Sequence, residues 1–164
     1  IKELKKFKLL KNQSFIEFPK KGLKELDLIT KTIKRLNGGL LLIDYGFLKQ
    51  SNNNTLQSVK NHKKNMLFDN VGNADITSLV NFSLLENYFK KKNLKTNNIV
   101  NQEFFLKRLG IIKRAQILSS RMNFKDKSEL YYSLQRLLGT KQMGELFKVI
   151  FSFKIKKRFS TGFI

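Results

Sequence analysis

The sequence predicts an α/β fold, and three observations carry that prediction. Residues 38 to 46, Gly38-Gly39-Leu40-Leu41-Leu42-Ile43-Asp44-Tyr45-Gly46, set four consecutive apolar residues between glycines and an acid, the pattern of a parallel strand buried on both faces. Just before it, Leu23, Leu26, Ile29, Ile33 and Leu36 recur every three or four residues and draw one apolar stripe along a helix. Near the C-terminus, Phe147, Val149, Phe151, Phe153 and Ile155 alternate with period two, with Ile150 as the exception on the opposite face. These elements are too few to shield a wholly apolar strand on both edges. The missing neighbours are expected upstream of Ile1, and residues 1–164 read as a single partial domain.

In chain order, Ser14 to Phe18 alternates enough for a short strand, and Pro19 stands where a helix can begin. The stripe predicts that helix over about 20–36, and Asn37 and Gly38 end it. With strand 40–43 following directly, residues 14–46 form a predicted βαβ unit with a right-handed crossover. Residues 47–73 are polar and without sustained period, so they read as a long loop over the carboxyl edge of the sheet, where long ordered loops are usually functional. Asp75 is placed to cap a helix whose buried side carries Leu79, Phe82, Leu85 and Phe89. Leu94 to Val100 is a weak strand candidate. Asn101 caps a short helix through Leu109, Gly110 breaks it, and a further helix carries Ile111, Ala115 and Leu118. Leu130, Leu134, Leu137 and Leu138 mark another helix that Gly139 ends, so residues 47–139 are a loop and helical region before a C-terminal strand over 144–156.

Composition narrows the chemistry. The formal charge of +21 would ordinarily indicate a polyanion partner. The excess is nearly all lysine, 27 against 6 arginines, and it accompanies 16 asparagines and only two alanines. Such a shift reads as a bias written over every surface, and the runs Lys5-Lys6, Lys20-Lys21, Lys63-Lys64, Lys90-Lys91-Lys92 and Lys156-Lys157-Arg158 are not interleaved with aromatics as RNA-binding motifs are. No specific nucleic acid is expected. The absence of cysteine excludes disulfides, thiolate ligands and a cysteine nucleophile, and a single histidine excludes a multi-histidine metal site. No metal is expected. No run approaches the roughly 18 apolar residues of a membrane-spanning helix, and no Gly-x-Ser-x-Gly elbow supports a hydrolase triad.

In an open α/β sheet, ligands bind beyond the carboxyl ends of the strands. Asp44, with Tyr45 and Gly46 after it, is therefore the first place to look, either as a carboxylate facing a cleft or as a cap on the next turn. His62 reads as a possible base or hydrogen-bond donor, or as a solvated loop residue. Asp75-Ile76-Thr77 could present a carboxylate and a hydroxyl to a ligand, or simply cap a helix. If the strand, the loop and the helix run as predicted, Asp44, His62 and Asp75 converge on one cleft as candidate catalytic residues.

Read in order, Gly38 to Gly46, Thr55-Leu56-Gln57 with His62, Gly72-Asn73-Ala74-Asp75-Ile76-Thr77 leading to Val80-Asn81-Phe82, Gln102 with Phe104 to Ile111, Arg114-Ala115, and Met143 to Val149 form a series that resembles the C-terminal half of the MidA family of class I S-adenosylmethionine-dependent methyltransferases. The likeness runs from about Phe15 to Phe151. It implies a Rossmann-like seven-stranded sheet with added helices, 40–43 its fifth strand and 147–155 its antiparallel last one. It also implies methyl transfer from S-adenosylmethionine, in the mitochondrial branch to an arginine side chain of a respiratory complex I subunit. The acceptor-side candidates are Asp44, His62 and Asp75, with Tyr45, Gly46, Gln57, Thr77 and Gln102 as substrate-binding candidates. The family's Gly-rich cofactor turn has no counterpart in this chain, so the cofactor-binding residues are expected upstream of Ile1. Localisation follows the branch: cytoplasmic in a bacterium, the mitochondrial matrix in a eukaryote. The alternative reading is a non-catalytic RNA-associated or assembly-chaperone protein that retains the fold.

Overall fold

A computed structural model describes residues 2–7, 9, 15–49, 53–154 and 160–164. In chain order the elements are α1 (Lys2–Lys6), α2 (Lys20–Leu36), β1 (Gly39–Phe47), β2 (Gln57–Lys60), β3 (Lys63–Asn65), β4 (Asp75–Thr77), β5 (Val80–Asn81), α3 (Phe82–Lys91), β6 (Lys95–Thr96), β7 (Val100–Asn101), α4 (Gln102–Arg108), α5 (Ile111–Ser119), α6 (Phe124–Leu138), α7 (Met143–Leu146) and β8 (Phe147–Phe153).

The main sheet has the order β5-β1-β8-β6, with β7 also on β8. Antiparallel pairing of β1 with β8 runs from Gly39 opposite Phe153 to Tyr45 opposite Phe147. On its other edge β1 pairs with β5 in parallel at Gly46 and Phe47. The strand expected to be buried on both faces is therefore covered on one. Leu40 and Leu42 pack on the core, while Leu41 and Ile43 stay about two-fifths exposed. Burial on both faces belongs to β8. Ile150 lies in the core with Leu23 and Ile33 of α2 and Phe82, Leu84, Leu85 and Phe89 of α3, whereas Val149 packs on the far side against Phe105 and Phe163. Ile150 thus breaks the two-residue alternation because that face, too, is covered.

Helix α2 keeps its predicted bounds, and Asn37 ends it in the left-handed conformation that asparagine tolerates. Its buried stripe is Leu23, Leu26, Thr30 and Ile33, while Ile29 and Leu36 face solvent. A 3.6-residue repeat from Leu26 reaches Thr30 and then Ile33, so a threonine takes the place expected of Ile29. Helix α2 is tied to α3 by the Tyr88 hydroxyl, which donates to Asp27 Oδ1 at 2.5 Å, the same oxygen that Lys92 Nζ approaches at 2.5 Å. The Lys92 hydrogen bond, then that of Tyr88, holds the Asp27 carboxyl below its ordinary range. Burial, then the bond to Asp27, pushes the Tyr88 phenol up to about 12.

Four expectations need correction. Phe15 to Pro19 is irregular and Ser14 lies outside the described residues, so 14–46 is a helix–strand unit without its first strand or a crossover. Within that segment Glu17 ties the coil to the chain ahead of β2: its carboxylate accepts the Thr55 N–H at 2.9 Å and the Thr55 hydroxyl at 2.7 Å. Residues 47–73 are not one loop, because β2 pairs antiparallel with β3 and with β4 in a small second sheet. Asp75 caps no helix but opens β4; Asn81 caps α3, accepting the Leu84 N–H at 2.9 Å. Residues 144–146, expected to open the C-terminal strand, belong to α7, and the strand begins at Phe147; other features agree. Asn101 caps α4 through the Phe104 N–H, Gly110 with φ 83 separates α4 from α5, and α6 stops at Gly139. The strand candidate at 94–100 is two short pieces, β6 and β7, both on β8. Ile155 and the basic run 156–158 lie outside the described residues.

Candidate functional site

Two neighbouring cavities flank the second half of β1. One, of about 740 Å³, is mostly apolar and is lined by Leu42, Ile43 and Asp44 of β1, Phe15, Glu17, Phe18 and Pro19, Leu23 and Leu26 of α2, and Leu79 to Phe82. The other, of about 770 Å³, is lined by Tyr45, Gln57, Val59, Asp75, Thr77 and Leu146, with Lys64 as its one lining cation. Phe47, Asn54, Leu56 and Leu79 line both. The partition follows from β geometry, since successive side chains leave a strand on opposite faces and send Asp44 one way and Tyr45 the other.

A short chain of hydrogen bonds builds the shared wall. Thr55, held by Glu17, accepts the Leu79 N–H on its hydroxyl at 2.9 Å. The coil before α2, the segment entering β2 and the segment entering β5 are thereby fixed to one another. Tyr45 is held edge-on against Phe147, with ring centroids 5.5 Å apart. On β4 the hydroxyl of Thr77 is buried and has no hydrogen-bond partner. An orphaned polar atom in a cavity wall is costly unless a ligand meets it.

The predicted residues thus divide into groups. Tyr45, Gln57, Asp75 and Thr77 come together in the second cavity. Asp44 lies in the adjoining one, its Oδ1 accepting the Tyr45 N–H at 2.8 Å, so Asp44 and Asp75 are neighbours across a shared wall and not members of one cleft. His62 does not join them. It is exposed at the tip of the β2–β3 hairpin with φ 62. Gln102 is also apart, buried at the start of α4, where its Nε2 donates to the Leu137 carbonyl at 2.9 Å and ties α4 to the end of α6. Gly46 serves packing, because a Cβ there would stand 2.2 Å from the Val80 carbonyl oxygen. Sequence reasoning passed over Glu17, whose partner is 38 positions away and leaves no local signal.

The residues present do not fit S-adenosylmethionine. No Gly-rich turn follows β1, and the polar groups around the apolar cavity are already engaged: Glu17 with Thr55, Asn81 with the Leu84 N–H, Asp44 with the Tyr45 N–H. The 164-residue chain is accordingly expected to show no micromolar binding of S-adenosylmethionine by calorimetry. A saturable micromolar isotherm would refute this.

A family model described as "Putative S-adenosyl-L-methionine-dependent methyltransferase" matches residues 2–100. The chain is 31% identical over 111 residues to the mitochondrial protein arginine methyltransferase NDUFAF7 of Danio rerio, covering 68% of this chain and 26% of that protein. Against the mitochondrial NDUFAF7 homolog of Caenorhabditis elegans it is 32% identical over 121 residues, covering 73% of this chain and 28% of the relative. The chain therefore spans little more than a quarter of the length of these relatives. Two crystal structures of Burkholderia thailandensis proteins share its fold at 24% identity over 84% of this chain. One, of an uncharacterized protein, superposes with a TM-score of 0.66 over 40% of its own length. The other, bound to S-adenosyl-homocysteine, superposes with a TM-score of 0.62 over 37% of its length. With the family model covering more than half of its residues, the chain belongs to this S-adenosylmethionine-dependent methyltransferase family, the MidA family that its motifs resemble.

Proposed function

We propose that this chain forms the acceptor-side part of an S-adenosylmethionine-dependent protein arginine methyltransferase that acts in assembly of respiratory complex I, in the mitochondrial matrix if the cell is eukaryotic. The observation that carries the reading is the cavity that brings Tyr45, Gln57, Asp75 and Thr77 together. A guanidinium group is planar, always charged and rich in donors, and it is recognised by a carboxylate, neutral acceptor oxygens and an aromatic face. Asp75 offers the carboxylate, Gln57 a neutral oxygen, and Tyr45 the ring. Their part is to bind and orient the guanidinium; transfer of the methyl group requires cofactor-holding residues that these are not. The names of the zebrafish and nematode relatives support the arginine acceptor.

The test is a chimera in which this chain replaces the matching segment of the zebrafish relative, assayed with methyl-labelled S-adenosylmethionine and arginine-containing complex I subunits. Methylarginine is the expected product. Asp75→Asn in that chimera should raise KM for the acceptor, since a hydrogen bond to a charged group contributes about 1.5–3 kcal/mol, roughly 10- to 150-fold, while cofactor affinity stays unchanged. Label appearing only on lysine, or an unaltered acceptor KM in Asp75→Asn, would overturn the reading.

A further inference from the structure

The small sheet carries a second feature, on the side of β3 that leads away from the cavity. Strands β2 and β3 are joined by Asn61-His62, with φ 50 and 62, the backbone of a two-residue type I′ turn. Beyond β3 the chain folds through residues 66–73, held by hydrogen bonds among polar groups although Asp69, Asn70 and Asn73 are themselves exposed. The Asn65 amide donates to the Asp69 carbonyl at 2.7 Å and to Ser58 Oγ at 3.2 Å, and Asn65 Oδ1 accepts from Asn70 Nδ2 at 3.2 Å. Asn70 Oδ1 in turn accepts from Lys60 Nζ at 2.6 Å. Backbone bonds from Asp69 N–H to Met66 and from Asn73 N–H to Asn70 close two turns.

This frame also presents apolar groups outward: Phe68 is 88% exposed, Val71 75% and Met66 73%. Three large apolar groups exposed within six residues mark a contact site. Lysines surround them. Lys60 and Lys63 face each other across the hairpin and Lys64 follows, with Asp69 the one acid between residues 57 and 71. Like charges directly opposite on paired strands repel, and an anionic surface relieves that repulsion.

We propose that the 66–71 loop docks on an anionic phospholipid bilayer, with Met66, Phe68 and Val71 entering the boundary between headgroups and acyl chains and Lys63 meeting lipid phosphates. Met66 and Phe68 line, with Leu67, a shared concavity of about 520 Å³, and the lysines beside it make an anionic surface the occupant that its charge fits. Because the asparagine network already fixes the loop, insertion orders little further backbone.

The chain has no tryptophan, so Phe68→Trp installs a single reporter. With vesicles of phosphatidylcholine and phosphatidylserine its emission should shift to the blue and be quenched by brominated acyl chains; phosphatidylcholine alone should do neither. Phe124→Trp, 86% exposed at the start of α6 and followed by Lys125 and Lys127, should not shift. Met66→Ser with Phe68→Ser should weaken vesicle affinity about tenfold or more, with the far-ultraviolet circular dichroism spectrum unchanged. An unshifted Phe68→Trp, an equal shift at Phe124→Trp, or serine variants that bind like the parent would reduce the contact to lysine adsorption and overturn the proposal. A shift produced by polyglutamate instead of vesicles would assign the loop to an acidic protein partner and overturn it as well.

Discussion

Phe82→Ala is expected to lower the unfolding free energy of the chain by about 3–5 kcal/mol, measured by urea denaturation. Phe82 opens α3 with no exposed surface, in the core where α2, α3 and β8 meet. It also forms part of the wall of the 740 Å³ cavity, so its removal enlarges a space already there instead of drawing neighbours into a tight site. Against a typical total of about 5–15 kcal/mol, such a loss leaves the variant close to unfolding at ordinary temperature. A midpoint that barely moves would mean that α3 is not packed on β1 as described.

The second large effect is expected at Gly46. Its side-chain position is closed by the Val80 carbonyl oxygen at 2.2 Å and by the Phe82 ring at 2.8 Å. The nearer obstacle is backbone, which cannot swing aside as a side chain can, and Gly46 opposite Val80 is half of the parallel contact between β1 and β5. Gly46→Ala should therefore cost about 3 kcal/mol or more and loosen the segment that carries Leu79 into both cavities. Gly38→Ala is the control, because no atom lies within 4 Å of its Cβ position and its φ is not positive. That variant should be neutral or slightly stabilising in the same denaturation experiment. Equal losses at the two glycines would argue against the close approach of β5 to β1.

The contrast between these glycines is not visible in the chain itself, and the same holds for much of the site. Elements with strong local signals were legible: the stripe of α2, the asparagine before α4, the break at Gly110 and the alternation of β8. Strands β2, β3 and β4 were not, because Gln57 to Lys60 and Lys63 to Asn65 are short and polar and are held by backbone pairing more than by a buried face. Of the residues named from the motif series, Tyr45, Gln57, Asp75 and Thr77 share a cavity. Joining Asp44 to Asp75 overreached. The alternation of a strand already separates Asp44 from Tyr45, and that signal was present in the sequence. Helix α1 and the burial of Phe7 and Leu9 had no readable period, being a single turn and two isolated apolar residues.

The pairing of β1 with β8 joins Tyr45 to Phe147 and Gly39 to Phe153, residues more than a hundred positions apart. On a ribosome adding roughly 5–20 residues per second, β1 emerges roughly 5–20 s before its antiparallel partner exists. During that interval a strand of four consecutive apolar residues lacks β8, the partner that pairs it along Gly39 to Tyr45, and an unpaired strand edge is the condition under which strands join those of other chains. Helix α2, complete before β1 appears and apolar along one side, belongs with Phe7 and Leu9 to the part of the final core that is made before the strand and can cover it. The order of synthesis thus gives α2 a second use, as a shield for the nascent strand until the sheet can close.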